Sequence, residues 1–158
     1  MRPNSVSPPV AAKVRWAVDM SDAISILLID GNIQDREYYA QRLQASSPDY
    51  DVVQVATGQS GLDLCARQPI DCVILEIDLP DMSGFEVLTK LVPRVHHPEI
   101  AVIVLTRIPN QFLLELALKN GAQAAFHKTM TCGDILDKAI LKAISIVQRE
   151  KAQQRGYC

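Results

Sequence analysis

The chain has 158 residues, 48% of them hydrophobic, and a formal net charge of −2. That length fits one domain with modest tails and a real core. The near-neutral charge leaves no global field to draw the chain to nucleic acid or an anionic membrane, and no apolar run approaches the ~20 residues of a membrane span.

Residues 1 to 22 carry Pro3, Pro8 and Pro9 among small residues and read as a flexible lead-in. They contain no apolar h-region, so they are not a secretory signal. Trp16 is either a partner anchor or a ring packed on, or exposed at, the domain edge. From Ile24 the pattern changes. ISILLI (24–29) is an apolar strand broken by Asp30, Gly31 and Asn32. Residues 33 to 45 have helical spacing, with Ile33, Tyr39 or Ala40, and Leu43 on one face, and Ser46, Ser47 and Pro48 stop them. Of the adjacent Tyr38 and Tyr39, one ring is expected inside and the other at a partner surface. DVVQVA (51–56) is a strand, and Thr57 caps a helix over 58–68.

CVILEI (72–77) is a continuous apolar strand interrupted by one acid, Glu76, with Asp78 and Pro80 beyond it. Ser83 caps a helix over 84–92 that ends before Pro93. His96 and His97 follow in a surface loop. IAVIVL (100–105) is a fully apolar strand. Asn110 caps a helix over 111–120, with Gly121 in the position that favours glycine. AAFH (124–127) is a short strand. After Thr131 comes a long amphipathic run whose apolar face is Ile135, Leu136, Ala139, Ile140, Ala143, Ile144 and Val147; QREKAQQR at its end is a solvated helix end or the start of a signalling helix. The four cysteines, Cys65, Cys72, Cys132 and Cys158, show neither CxxC nor metal-ligand spacing and read as reduced thiols of a cytoplasmic protein.

Strands and helices therefore alternate five times, and several strands are apolar throughout, which requires cover on both faces. This predicts an α/β protein: a flavodoxin-like, doubly wound (βα)5 fold with a five-stranded parallel sheet. In such sheets, sites form where loops leave the carboxyl ends of the strands. Asp30, Glu76 or Asp78, Thr106 and Lys128 follow four different strands and are expected to converge on one edge.

LLIDGN, VILEIDLPDMSG, VIVLT and NGAQAAFHK, in that order and spacing, resemble the receiver domain of two-component response regulators. The resemblance covers about residues 24 to 148. It implies a domain over 23–148, with 149–158 a tail or helix extension. In that family an Asp attacks a phosphohistidine, acidic residues at the first strand end hold magnesium, and a lysine and a Ser/Thr hydroxyl bind the phosphoryl oxygens. Such chemistry needs a hard cation with oxygen ligands and fixed positive charge facing the transferring group.

Residue by residue, the resemblance implies departures. The phosphoacceptor position, four before Pro80, is Glu76. The first acid is kept as Asp30, whereas the second is Gly31. Thr106 and Lys128 match the phosphate-binding pair. The aromatic switch position is Ala125, the small residue after the hydroxyl is Arg107, and the proline after the lysine is Thr129. Glu reaches roughly 1.5 Å further than Asp, and attack geometry tolerates little displacement. Glu76 is expected to pair with Lys128 directly, and magnesium is expected weak at best, at Asp30 and Asp78.

Two readings of Glu76 stand open: a built-in mimic of the phosphorylated state, or a structural salt bridge. Asp78 is a solvated loop acid or a substitute acceptor. Arg107 binds an anion, masks the pocket through Glu76, or is a solvated surface residue. The leading expectation is a non-enzymatic, phosphorylation-independent protein-interaction module. Its partners would be a histidine kinase, another receiver, an output protein or a second copy of itself, with no nucleic acid and no membrane. The alternative is an active phosphoacceptor receiver that uses Asp78 or another acid with weakened magnesium. A flavodoxin-like enzyme lacks support: DGNIQDRE fits neither dinucleotide nor P-loop patterns, and no hydrolase pairing is present.

Overall fold

A computed structural model describes residues 23–156. Trp16 and the proline-bearing lead-in lie outside the described residues, as does Cys158. Five strands, β1 (Ile24–Ile29), β2 (Tyr50–Val55), β3 (Cys72–Leu75), β4 (Ala101–Thr106) and β5 (Ala124–His127), form one sheet in the order β2-β1-β3-β4-β5. All four pairings are parallel. Helices α1 (Ile33–Ser46), α2 (Gly58–Arg67), α3 (Gly84–Leu91), α4 (Gln111–Lys119) and α5 (Gly133–Arg155) alternate with the strands. This is the flavodoxin-like doubly wound order expected from the sequence, with its switch point where the chain crosses from β2 past β1 to β3.

The period-two alternation of side chains divides each apolar strand between two cores. Ile26, Leu28, Ile74, Ile103 and Leu105 pack against Tyr39, Ala40 and Leu43 of α1 and Leu136, Ile140, Ala143 and Val147 of α5. Leu27, Ile29, Val73, Leu75, Val102 and Val104 pack on the other face against Val87 and Leu88 of α3 and Ala117 of α4, with Leu62 and Cys65 of α2 at its margin. Residues Ala101 to Thr106 are buried without exception, as a central parallel strand requires.

Polar caps start four helices. Asn32, Thr57, Ser83 and Asn110 each accept a backbone N–H from the first turn of α1, α2, α3 and α4 respectively. Gly121 follows α4 at φ 104°, where a Cβ would also strike Val92.

Three details differ from the sequence expectation. Ile33, the first residue of α1, is 58% exposed, and the buried stripe of that helix begins at Tyr39. β3 ends at Leu75, although the Glu76 N–H still bonds to the Ile29 carbonyl at 3.0 Å. Ile135 stands exposed beside the packed stripe of α5. In agreement with the expected helix extension, QREKAQQR continues α5 to Arg155, about two turns beyond its last buried residue, Val147. Tyr38 and Tyr39 divide as expected: Tyr39 is buried, and Tyr38 is exposed beneath the Arg42 guanidinium. His96 and His97 are exposed in the loop after α3.

Candidate functional site

The four chain segments foreseen at the sheet edge do meet there. Asp30 follows β1, Glu76 follows β3, Thr106 ends β4 and Lys128 follows β5 in a single 3-10 turn. All four are buried, although they sit where loops leave the sheet. Their positions are fixed from the backbone outward. Asp30 accepts the Asn32 N–H at 2.9 Å, its own carbonyl accepts from Arg36 at 2.7 Å, and Asn32 caps α1 through Asp35 N–H. The loop after β3 folds back tightly: Gly84 N–H donates to the Ile77 carbonyl at 2.8 Å, and Asp78 and Ser83 form a bridge. A Cβ on Gly84 would lie 2.4 Å from the Glu76 carbonyl oxygen, so only glycine lets the start of α3 touch this backbone. Asp81 clamps the same loop to α2, accepting the Gly58 and Gln59 N–H groups at 2.8 and 2.9 Å, and those bonds hold its carboxyl below the ordinary range.

Lys128 is the hub. Its Nζ lies 2.5 Å from Asp30, 2.9 Å from Asp35 and 2.9 Å from Glu76. Burial by itself would lower the lysine pKa; the hydrogen bonds to the three carboxylates more than offset it, and the ammonium is held above its ordinary value. The Tyr39 hydroxyl donates to the Lys128 carbonyl at 3.2 Å, fixing the turn that aims the side chain.

Glu76 takes every donor that faces it. Its Oε1 accepts from the Thr106 hydroxyl at 2.5 Å and from the Ile77 and Asp78 N–H groups at 2.7 and 3.1 Å. Its Oε2 faces Lys128 and accepts the Arg107 N–H at 3.3 Å. The expected Glu76–Lys128 pair is therefore present.

Asp35 is the residue sequence reasoning missed. It sits in the first turn of α1, and its carboxylate bonds both Lys128 and the fork of Arg107. The Arg107 guanidinium draws its pKa down to about 2, against the opposing effect of burial. The signal was in the spacing: an Asn cap at 32 places residue 35 in the exposed helix start, on the same edge as Asp30. Arg107 consequently covers the pocket through Asp35, not through a side-chain contact with Glu76. Ala125 lies in β5, half-buried against the α3–α4 side of the core, with no ring to rotate.

Few side-chain oxygens at the positions expected to hold magnesium are unengaged. Asp30 is engaged by Lys128 and Asn32, Gly31 offers no side-chain oxygen, and the Asp78 side chain is exposed on the loop. A side chain at position 31 would meet Pro80 Cδ at 2.9 Å. Among the described residues, no group of three or more His, Cys, Asp or Glu side chains is placed to hold a metal ion. No described helix is long and apolar enough to cross a membrane. Cys65, Cys72 and Cys132 are free thiols, and burial pushes the Cys72 thiol far up.

The response regulator receiver domain family matches residues 26–140. This chain belongs to that family. The nitrate/nitrite response regulator protein NarL of Escherichia coli is 32% identical over 120 residues, which are 75% of this chain and 54% of that protein. Sporulation initiation phosphotransferase F of Bacillus subtilis is 28% identical over 88 residues, 56% of this chain and 69% of that one. A probable cyclic di-GMP phosphodiesterase of Vibrio cholerae is 32% identical over 98 residues, but only 22% of its length is matched. The chain thus spans about half or less of several curated relatives it matches. Among solved structures, a receiver domain protein from Methanospirillum hungatei superposes with TM-score 0.70 at 24% identity, covering 80% of this chain and 98% of that one. The receiver domain of a LuxO repressor protein from Vibrio parahaemolyticus gives 0.71 at 23%, over 82% and 95%. These two likenesses establish the fold.

Proposed function

We propose that this receiver domain works in two-component signalling as a protein-interaction module that needs neither phosphate nor magnesium, with the Glu76 carboxylate standing in for a phosphoryl group. One observation carries the reading. The Glu76 carboxylate engages the Thr106 hydroxyl, the Lys128 ammonium and the Arg107 backbone N–H together. Those are the lysine and hydroxyl which, in receivers of this type, hold the phosphoryl oxygens. With the donors already filled and Lys128 neutralised by three carboxylates, an incoming phosphoryl group has no free positive charge to meet. Asp78 is a poor substitute acceptor, since its side chain is exposed and its N–H is committed to Glu76.

Docking on a histidine kinase, another receiver or an output protein follows from the family. A second copy of this chain is a further candidate partner through the face formed by α4, β5 and α5. That face carries a groove of about 270 Å³ lined by Phe126, Ile135 and Ile146 and flanked by Lys138 and Lys142.

The test is intact mass after incubation with acetyl phosphate and magnesium. The wild-type chain is expected to gain no phosphate. A labile phosphate on the wild type would overturn the proposal, and peptide mapping would then locate the acceptor.

A further inference from the structure

Glu76, Lys128 and Asp30 have side chains only 5, 6 and 4% exposed, although they lie on the loop edge of the sheet. Above them lies Arg107, its side chain 59% exposed, resting on an Asp35 that is 14% exposed. Arg107 is bound at both ends. Its backbone N–H donates to Glu76 at 3.3 Å, on the pocket floor. Its Nε and Nη2 each lie 2.5 Å from a separate oxygen of Asp35, at the rim. The same Asp35 carboxylate accepts from Lys128 at 2.9 Å.

We propose that Asp35 is a latch: by gripping Arg107 it ties the start of α1 to the segment between β4 and α4 and closes the pocket over Glu76. The segment it controls is short. Ile108 N–H bonds to the Thr106 hydroxyl at 3.2 Å, Asn110 N–H bonds to the Ile108 carbonyl, and Asn110 then caps α4. Movement of Arg107 therefore reaches Phe112 in the first turn of α4, the most exposed aromatic side chain among the described residues at 62%. Once the ion pair is broken, the 3.3 Å bond to Glu76 is the one hydrogen bond left to Arg107 among the described residues, and a hydrogen bond of that length is weak. A bidentate carboxylate–guanidinium pair is strong and directional, so the latch holds one loop position rather than a range. In this chain it joins the start of α1 to the loop after β4 with protein side chains alone. The inference concerns the loop and goes beyond the reading of Glu76; phosphate uptake by the wild type would overturn that reading and leave this one standing.

Amide hydrogen exchange of the full chain tests it, comparing wild type, Asp35→Asn, Arg107→Gln and the double variant. Arg107→Gln leaves Lys128 with all three of its carboxylates, so it isolates the latch from the hub. The expected result is about tenfold faster exchange at the amides of residues 107, 108 and 110 (residue 109 is proline) in each single variant, the factor that corresponds to 1.4 kcal/mol. The β1 and β4 core amides should be unchanged in Arg107→Gln. The double variant should match the singles, because all three break the same bond. Unchanged loop exchange in Arg107→Gln would overturn the proposal. So would a uniform acceleration across the strands, or additive effects in the double variant.

Discussion

Replacing Lys128 by Met probes the charge balance of the pocket directly. The substitution keeps most of the volume but leaves Asp30, Asp35 and Glu76 facing one another with no ammonium between them. Each has an oxygen within 2.9 Å of Nζ, so the oxygens lie within about 6 Å of one another. At an effective dielectric of 20, one such pair repels by roughly 3 kcal/mol. The folded variant relieves that repulsion by binding a proton. At pH 7 this costs about 4 kcal/mol for a carboxylate of ordinary pKa near 4, which caps the penalty per proton. The expected destabilisation at pH 7.5 is therefore about 3–5 kcal/mol, the range found when one partner of a buried ion pair is removed. Because the folded variant binds more protons than its unfolded chain, its stability rises as pH falls, and the deficit relative to wild type should shrink by about 2 kcal/mol or more at pH 5. Urea denaturation of both proteins at the two pH values measures this. Adding Glu76→Gln to Lys128→Met should restore stability, whereas Glu76→Gln alone should reduce it by breaking the contacts to Thr106 and Lys128. A deficit below about 1 kcal/mol, a deficit independent of pH, or the same sign for Glu76→Gln in both backgrounds would refute the claim that Lys128 neutralises the three acids.

Two further outcomes follow. The Asp35 carboxyl is held at about 2 in the folded chain, against an ordinary 3.8. A depressed carboxylate stabilises above the unfolded pKa, and its contribution is lost as pH falls through the folded one. The gap in urea midpoint between wild type and Asp35→Asn should thus be constant above about pH 5 and close between roughly pH 4 and 2. The corresponding difference in unfolding free energy should be about 1 kcal/mol, since the Arg107 partner is solvent-screened. The glycines of the site should rank by what they touch. Gly84→Ala, which drives a Cβ onto the Glu76 backbone, should cost about 3 kcal/mol in thermal or urea unfolding, and Gly31→Ala, which meets only the edge of the Pro80 ring, about 1 kcal/mol; the reverse order would contradict the packing described.

Much of this protein was legible in its order of residues. Continuous apolar strands such as Ala101–Thr106 can be buried on both faces only in a parallel sheet covered by helices, so the doubly wound fold followed from the pattern. The polar caps Asn32, Thr57, Ser83 and Asn110 set the helix starts, because each side chain satisfies an N–H of the very next turn. The convergence of Asp30, Glu76, Thr106 and Lys128 followed from the same logic, since loops leaving the carboxyl ends of parallel strands share one edge. Of their contacts, the pair of Glu76 with Lys128 was expected; the part played by Asp35 and its grip on Arg107 was not. Asp35 and Arg107 are 72 positions apart, and nothing local to either records the other. Their pairing exists because the sheet order sets α1 within reach of the end of β4. The close approach of Pro80 to Gly31, of the start of α3 to the Glu76 carbonyl, and of three acids to one ammonium likewise depend on how the loops pack. Local propensity and periodicity determined the scaffold, the edge on which the site lies and the opposition of Glu76 to Lys128; long-range packing alone decided that Asp35 joins them and closes on Arg107.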